Sequence, residues 1–415
     1  MPASSATRPM AHPIPGASWE GRVTDATAVS RHLARLWADL AAREVASAAG
    51  DLEQLPLGVL TRASTLNLTA LARSRGDAER AERAVARLGD LYPSRATILL
   101  ADPDLAPEAD ADAGASAGMN VRAVLLEQEA ARGRGAIRFE EVVVEVSARS
   151  ERQLASIAAP LLVADLPDFL WWVADTTTGS PLFTDLCTVS DRIIVDSAGA
   201  PDPAAELSAF AGVLAGVSSP PRLGDFAWRR LDPWRNLLTG FFDPPATRAA
   251  LASIDAVEIT YGAADRSGRT GFTGAMLLAG WLASRLDWRP PGDLVRAPGG
   301  DGWRVTMRAG QRGDHREVSM AVKPAEDPVA GCALASVALS SGAGGSEASF
   351  RIERIDQDEI ATIARMPGAP TSRRTVYAGL PGDAELLADE LRQYGRDGVY
   401  EAALACAAVL CPDRR

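Results

Sequence analysis

Asp165-Leu-Pro-Asp-Phe-Leu-Trp-Trp172 and Ser190-Asp-Arg-Ile-Ile-Val-Asp-Ser197 decide how this chain is read. Each encloses a short apolar run, 169–173 and 193–195, bounded by charges or proline. Runs of that length without alternation are how strands of a parallel sheet look when both sheet faces are covered. Trp171 and Trp172 are neighbours on one strand and therefore point to opposite faces. The second run delivers Asp196 and Ser197 to its carboxyl end, where open α/β sheets gather their ligands. These two residues are candidates for contact with a ligand or partner. The alternative is a turn or helix-capping role at the start of the next loop.

Working outward, 23–48 carries Leu33, Leu36, Trp37 and Leu40 at helical spacing and stops at Gly50. A strand at 65–71, a charged amphipathic helix at 77–91 and a strand at 96–100 compose a β-α-β unit. Strands at 121–126 and 137–146 flank the turn Arg132-Gly-Arg-Gly135. A helix at 151–162 leads into the Trp171 strand, and a short helix near Phe183 leads into the Ile193 strand. This half reads as an α/β domain with a largely parallel sheet.

Downstream, a helix at 204–217 ends at Ser218-Ser-Pro-Pro221. Short helices at 234–242 and 246–254, a strand at 256–261 and an apolar helix at 271–286 follow. After Pro290-Pro-Gly292 the pattern changes to strands at 303–308, 316–322, 332–340 and 349–355, with Gly342-Ala-Gly-Gly345 as the clearest turn. Helices at 384–394 and 399–410 close the chain. The expected organisation is a disordered tail over 1–20, an N-terminal α/β domain over 21–200, and a C-terminal α+β domain over 201–415. The second domain has a mainly antiparallel sheet and a helical shoulder at 201–290.

The 415 residues are 47% hydrophobic and 23% charged with a net charge of −11, an ordinary folded composition that disfavours nucleic acid as a partner. No apolar run approaches the roughly 20 residues that cross a bilayer, and the first twenty residues lack an apolar signal core, so a cytoplasmic setting is expected. Lys323 is the only lysine, which removes support for a phosphate-binding P-loop or a Schiff base. His12, His32 and His315 are scattered, no Cys-x-x-Cys occurs, and no Gly-x-Gly-x-x-Gly follows a strand. No catalytic set, metal or cofactor is expected.

Some motifs carry a chemistry and a plainer explanation. Gly114-Ala-Ser116-Ala-Gly118 spells a nucleophile elbow but follows an acidic loop instead of a strand, so it reads as linker. Asp102, Asp104, Glu108, Asp110 and Asp112 lack the spacing of a calcium loop and read as solvated acid. Cys406 and Cys411 stand five apart on a predicted helix, too far to bridge unless its end frays, so they read as unpaired thiols. The segment Trp228-Arg-Arg-Leu-Asp-Pro-Trp234-Arg has the Trp and Arg richness of binding hot spots. Core packing is the competing explanation for each tryptophan. Trp228, Arg229, Arg230, Trp234 and Arg235, with Asp196 and Ser197, form the candidate partner interface, expected on a protruding helical unit.

The ordered words 165–172, 190–197 and 231–245, followed by Leu277-Leu-Ala-Gly-Trp-Leu-Ala283, resemble the glucose-6-phosphate dehydrogenase assembly protein family, the OpcA family. The likeness is strongest over 159–288 and leaves 1–20 and 102–118 outside. It implies a non-catalytic protein that binds glucose-6-phosphate dehydrogenase and promotes its assembly or activity in the oxidative pentose phosphate pathway. The resemblance supplies no catalytic residues, and no family cysteine motif maps onto Cys406 and Cys411. The alternative is a sugar-phosphate sensor or enzyme built on Asp196, Ser197 and nearby arginines.

Overall fold

The structure, a computed structural model, describes residues 10–48, 62–105, 118–129, 136–174, 178–216, 221–263, 270–297, 302–310, 316–326, 333–341 and 348–412. The turns at 132–135 and 342–345, residues 114–117 of the Gly-x-Ser-x-Gly match, most of the acidic loop, Cys332, His315 and the 218–220 break lie outside the described residues. The chain forms two compact units. The first holds Met1–Val195, Pro221–Leu223 and Asp383–Tyr394; the second holds Asp196–Pro220, Gly224–Gly382 and Gly395–Arg415.

The first unit is built on an eight-stranded sheet: β1 (His12–Val23), β2 (Leu66–Ala72), β3 (Ser94–Asp102), β4 (Met119–Glu129), β5 (Ala136–Ser147), β6 (Asp168–Trp172), β7 (Arg192–Val195) and β8 (Arg222–Asp225), of which Gly224 and Asp225 count with the second unit. Their spatial order is β1-β4-β5-β3-β2-β6-β7-β8. The pairs from β5 through β7 are parallel, and β1 and β4 join antiparallel at one side. All of Leu66–Ala72 and all of Arg192–Val195 are buried, as the unalternating apolar runs require. Trp171 and Trp172 are both buried, one to each face.

Helix Arg75–Leu88 begins at Ser74, whose side chain accepts from Asp77 N, and buries Ala78, Ala81, Ala84, Val85 and Leu88. Helix Ala26–Ala48 starts at Asp25, which accepts from Ala28 N at 2.9 Å, and buries Leu33, Leu36 and Leu40. Its Trp37 donates to Glu140, a fully buried β5 carboxylate that also pairs with Arg62 at 2.8 Å and Arg95 at 2.6 Å. The helix expected over 151–162 is broken into two 3-10 turns around Leu154–Ala158, with Pro160 inside the second, Ala159–Leu161.

Residues 1–20 were expected to be a tail, yet His12–Val23 pairs with β4 as an edge strand. The register shifts between Pro13 and Ser18, where Pro13 and Pro15 have no N–H to donate and edge pairing tolerates them. Helix Asp383–Leu391 belongs to this unit although the sequence places it near the carboxyl end. Arg80 reaches Asp383 at 3.1 Å and Phe169 meets Tyr394 edge-on at 5.8 Å.

The second unit carries the second sheet: β9 (Ala256–Tyr261), β10 (Trp288–Arg289), β11 (Val295–Arg296), β12 (Trp303–Ala309), β13 (Arg316–Pro324), β14 (Leu334–Ser341), β15 (Ala348–Arg354), β16 (Glu359–Arg365) and β17 (Ser372–Tyr377). The order is β10-β12-β13-β9-β14-β15-β16-β17, with β11 also on β12, and every pair but β13–β9 is antiparallel. Side chains alternate: Val305, Met307, Val318, Met320, Phe350 and Ile352 are buried, and their neighbours are not. This is the α+β pattern read from the sequence, with the mainly antiparallel sheet.

Helix Phe272–Arg285 is buried along 273–283. It crosses helix Gly398–Leu410 so closely that a Cβ on Gly280 would sit 2.1 Å from Ala403 O. Only glycine fits that crossing.

Candidate functional site

The candidate interface residues Asp196, Ser197, Trp228, Arg229, Arg230, Trp234 and Arg235 all fall in the second unit and converge on two short polar turns and a helical pair. Asp196 caps the 3-10 turn Ser197–Gly199, its Oδ1 accepting from Ala198 N at 3.3 Å. Asp225 caps helix Phe226–Arg229, accepting from Ala227 N at 2.9 Å. Both follow from an Asp placed directly before a helical turn, where a short carboxylate satisfies free backbone donors.

Asp225 is the hub. It is fully buried and accepts from Ser197 N at 3.1 Å, Ser197 Oγ at 2.5 Å and Tyr400 Oη at 3.1 Å besides Ala227 N. Four donors would hold a carboxyl low, but burial outweighs them, with Asp196 adding repulsion, and its pKa is pushed up to about 6. Ser197 is itself buried, and its carbonyl accepts from Thr273 Oγ1 at 3.2 Å. A serine whose hydroxyl is spent on a carboxylate, with no imidazole between them, is not arranged as a nucleophile.

Beside this hub, Arg230 grips Asp196 with both terminal nitrogens, at 2.7 and 2.8 Å. That bidentate geometry is arginine's strongest pairing mode. Trp228 donates to Asp397 at 3.1 Å, and Asp397 in turn caps helix Gly398–Leu410. The Arg235 guanidinium lies 3.5 Å over the Trp228 ring and pairs with Asp232. Burial draws the Arg235 pKa below its usual value, with Asp232 opposing. Arg229 is 4.0 Å from the same Asp232.

The protruding unit expected from the sequence is not what the structure contains. Trp228 and Trp234 are 1% and 2% exposed. Apolar positions of helix Asp232–Gly240 turn Trp234 and Leu238 inward, and the arginines cover the rings instead of standing free. The cavity lined by Ala198, Arg230, Trp234, Gly274 and Arg354 measures about 20 Å³. That is space for about one water, far below the roughly 300 Å³ of a small-molecule pocket.

The sequence reading missed Asp225, Asp232, Tyr400 and Asp397, the partners that close this network. Asp225 before Phe-Ala-Trp and Asp397 before Gly-Val-Tyr carry a capping signal that a search for helix starts finds. Nothing local connects them to Ser197 or Trp228. Cys406 and Cys411 are unpaired, and burial, with Asp202 adding to it, pushes the Cys411 thiol up to about 12. Among the described residues no helix is long and apolar enough to cross a membrane, and no group of three or more potential ligands could hold a metal ion.

Comparison with known proteins follows the two-part layout. Residues 85–212 match the family model described as the glucose-6-phosphate dehydrogenase subunit N-terminal domain, and residues 221–404 match the corresponding C-terminal domain. The chain is 28% identical over 281 residues to a Synechococcus elongatus protein provisionally named OxPP cycle protein OpcA, covering 66% of this chain and 60% of that one. It is 35% identical over 152 residues to a protein of the same name from Nostoc punctiforme, covering 36% and 30%. The chain thus spans less than two thirds of the length of these relatives.

Among solved structures, an NAD binding oxidoreductase from Klebsiella pneumoniae has a TM-score of 0.46 at 12% identity, covering 83% of this chain and 94% of that one. The apo scyllo-inositol dehydrogenase from Lactobacillus casei has a TM-score of 0.42 at 9% identity, covering 84% and 97%. Likeness that loose carries no argument about fold or activity.

Proposed function

This chain belongs to the OpcA family of glucose-6-phosphate dehydrogenase subunit proteins, and from that membership we propose that it is a non-catalytic protein that binds glucose-6-phosphate dehydrogenase. It promotes the oligomerisation or activity of that enzyme in the oxidative pentose phosphate pathway. The observation that carries the reading is the pair of family matches, in order along the chain and each described as a subunit domain of that dehydrogenase.

The geometry of the second unit supports a binding role over a catalytic one. Ser197 and Asp225 are locked to one another without room for a substrate, and the cavity nearby is too small for a sugar phosphate. Of the residues expected at the partner surface, Asp196, Arg229, Arg230 and Arg235 keep partial solvent access. They form a proposed contact edge, with Ser197, Trp228 and Trp234 holding it from behind.

The test is co-purification of the chain with its cognate dehydrogenase, followed by dehydrogenase assays with and without it. Stimulated activity or a larger assembly is expected. A chain that stimulates nothing and instead binds a sugar phosphate alone would replace this reading with the sensor.

A further inference from the structure

Across β12, β13 and β15 one face of the second sheet is buried, and the middle of the opposite face is open. Pairing registers place Ala256, Ser319, Ala321, Ala338, Ser340 and Ser349 side by side across the middle of the open face. Small side chains there leave the backbone close to the surface and the face flat. Longer cations stand among them: Arg304, Arg308, Lys323, Arg351, Arg365 and Arg373. The carboxylates on the same face are Glu258, Glu317, Glu353 and Glu359. Across the seven strands from β12 to β17, six positive charges against four negative give +2, and Arg289 of β10, opposite Arg308, adds a further cation, in a chain whose net charge is −11.

Between β14, β15 and β16 the face dips into a concavity of about 280 Å³, floored by Ser340 and Ser349 and flanked by Arg351, Glu353, Ile363 and Arg365. Glu353 accepts from Arg351 at 3.2 Å and lies 3.5 Å from Arg373, so an incoming carboxylate would compete with it for Arg351, while Arg365 stands across the concavity. The strand beyond, β17, is exposed at every residue, with Tyr377 at 78%. Unprotected edges of that kind invite pairing with another chain. Seven adjacent strands at about 4.8 Å spacing and about 17 Å length present roughly 600 Å² per partner, near the lower bound for a specific interface.

We infer that this open face is a docking surface for an acidic protein surface, with an Asp- or Glu-bearing projection seated between Arg351 and Arg365. Under the reading above, on which this inference rests, that surface belongs to the dehydrogenase. A second copy of this chain is disfavoured, because two faces of net positive charge would meet.

The experiment measures binding of the full chain to immobilised cognate dehydrogenase over a series of ionic strengths, with a thermal melt of every variant. Wild type is expected to bind, more weakly as salt rises. Arg351→Glu with Arg365→Glu is expected to lose about tenfold or more in affinity, as truncated hot spots do. Ser340→Arg, which fills the concavity while keeping both cations, is expected to lose binding with an unchanged melt. Arg83→Glu, on an exposed helix position of the first unit, should bind like wild type.

Wild-type affinity in both the charge-reversal and the Ser340→Arg variants would overturn the inference and leave the functional reading standing. A wild-type chain that fails to bind would overturn the functional reading itself. A chain that sediments alone as a dimer, and that Ser340→Arg converts to a monomer, would assign the face to a second copy and overturn the inference as well.

Discussion

Arg192 on β7 and Glu390 in helix Asp383–Leu391 form an ion pair closed off from solvent. Arg192 Nη2 and Nε donate to Glu390 Oε2 at 2.5 and 3.1 Å, with the side chains 1% and 0% exposed. The two residues stand 198 apart in sequence and lie within one unit. A buried pair adds little over an apolar pair of the same shape, but removing one partner strands the other charge.

Glu390→Ala should therefore destabilise the first unit by about 3–5 kcal/mol, and the double replacement of Arg192 and Glu390 by methionine should recover most of that loss. Chemical denaturation of the three variants measures it. A double variant as unstable as the single one would show that the pair itself, and not the stranded charge, holds the helix.

Asp225 makes stability depend on pH. Its folded pKa is raised to about 6 from an ordinary 3.8, so folding favours the protonated form. That contribution is fully present below about pH 4 and is lost as pH rises through about 6. Asp225→Asn should flatten this part of the stability curve, by on the order of 2 kcal/mol. Urea denaturation at several pH values is the measurement, and an unchanged slope would contradict the assignment.

Glu141 in the first unit acts with the same sign in a higher window. Burial first and the nearby Glu82 second raise its pKa to about 7, against Arg122 at 3.7 Å. Stability tied to it is present below about pH 4 and is lost as pH rises through about 7. Glu141→Gln should melt higher than wild type at about pH 8 and equal to it at about pH 4. Equal melts at both would remove Glu141 as the source.

Gly280→Ala tests the helix crossing. The added methyl would meet Ala403 O and Ala407 N, both backbone, so the helices must part. A loss of about 1–3 kcal/mol or more is expected by thermal melt. Wild-type stability would mean that the two helices can part at Gly280 without cost.

The thiols should be quiet. Burial pushes Cys187 and Cys411 up to about 12, which leaves almost no thiolate at neutral pH. Native-state alkylation followed by mass spectrometry should label both slowly, and rapid labelling of Cys411 would contradict its burial.

Much of the first sheet was legible because its strands are short apolar runs between breaks; 65–71 is offset by one residue from Leu66–Ala72, and 193–195 starts one residue inside Arg192–Val195. The β16–β17 hairpin was not. Glu359–Arg365 buries Ile360 and Ala361 in succession, which erases the alternation, and Ser372–Tyr377 is exposed on both faces and shows none. Its order comes from pairing to β16, which no local pattern records. Trp228 and Trp234 illustrate the same limit at the candidate site. A tryptophan beside arginines reads as a hot spot or as core, and the deciding partners, Asp397 and Arg354, are distant in sequence.

Binding to glucose-6-phosphate dehydrogenase is the proposed activity on which the functional reading stands or falls. Sedimentation of the purified chain, the cognate dehydrogenase and their mixture, with dehydrogenase activity followed across the same fractions, tests it most directly. A heavier species containing both proteins is expected, with dehydrogenase activity raised in it and none in fractions of the chain alone. Independent sedimentation of the two proteins, with activity unchanged on mixing, would contradict it.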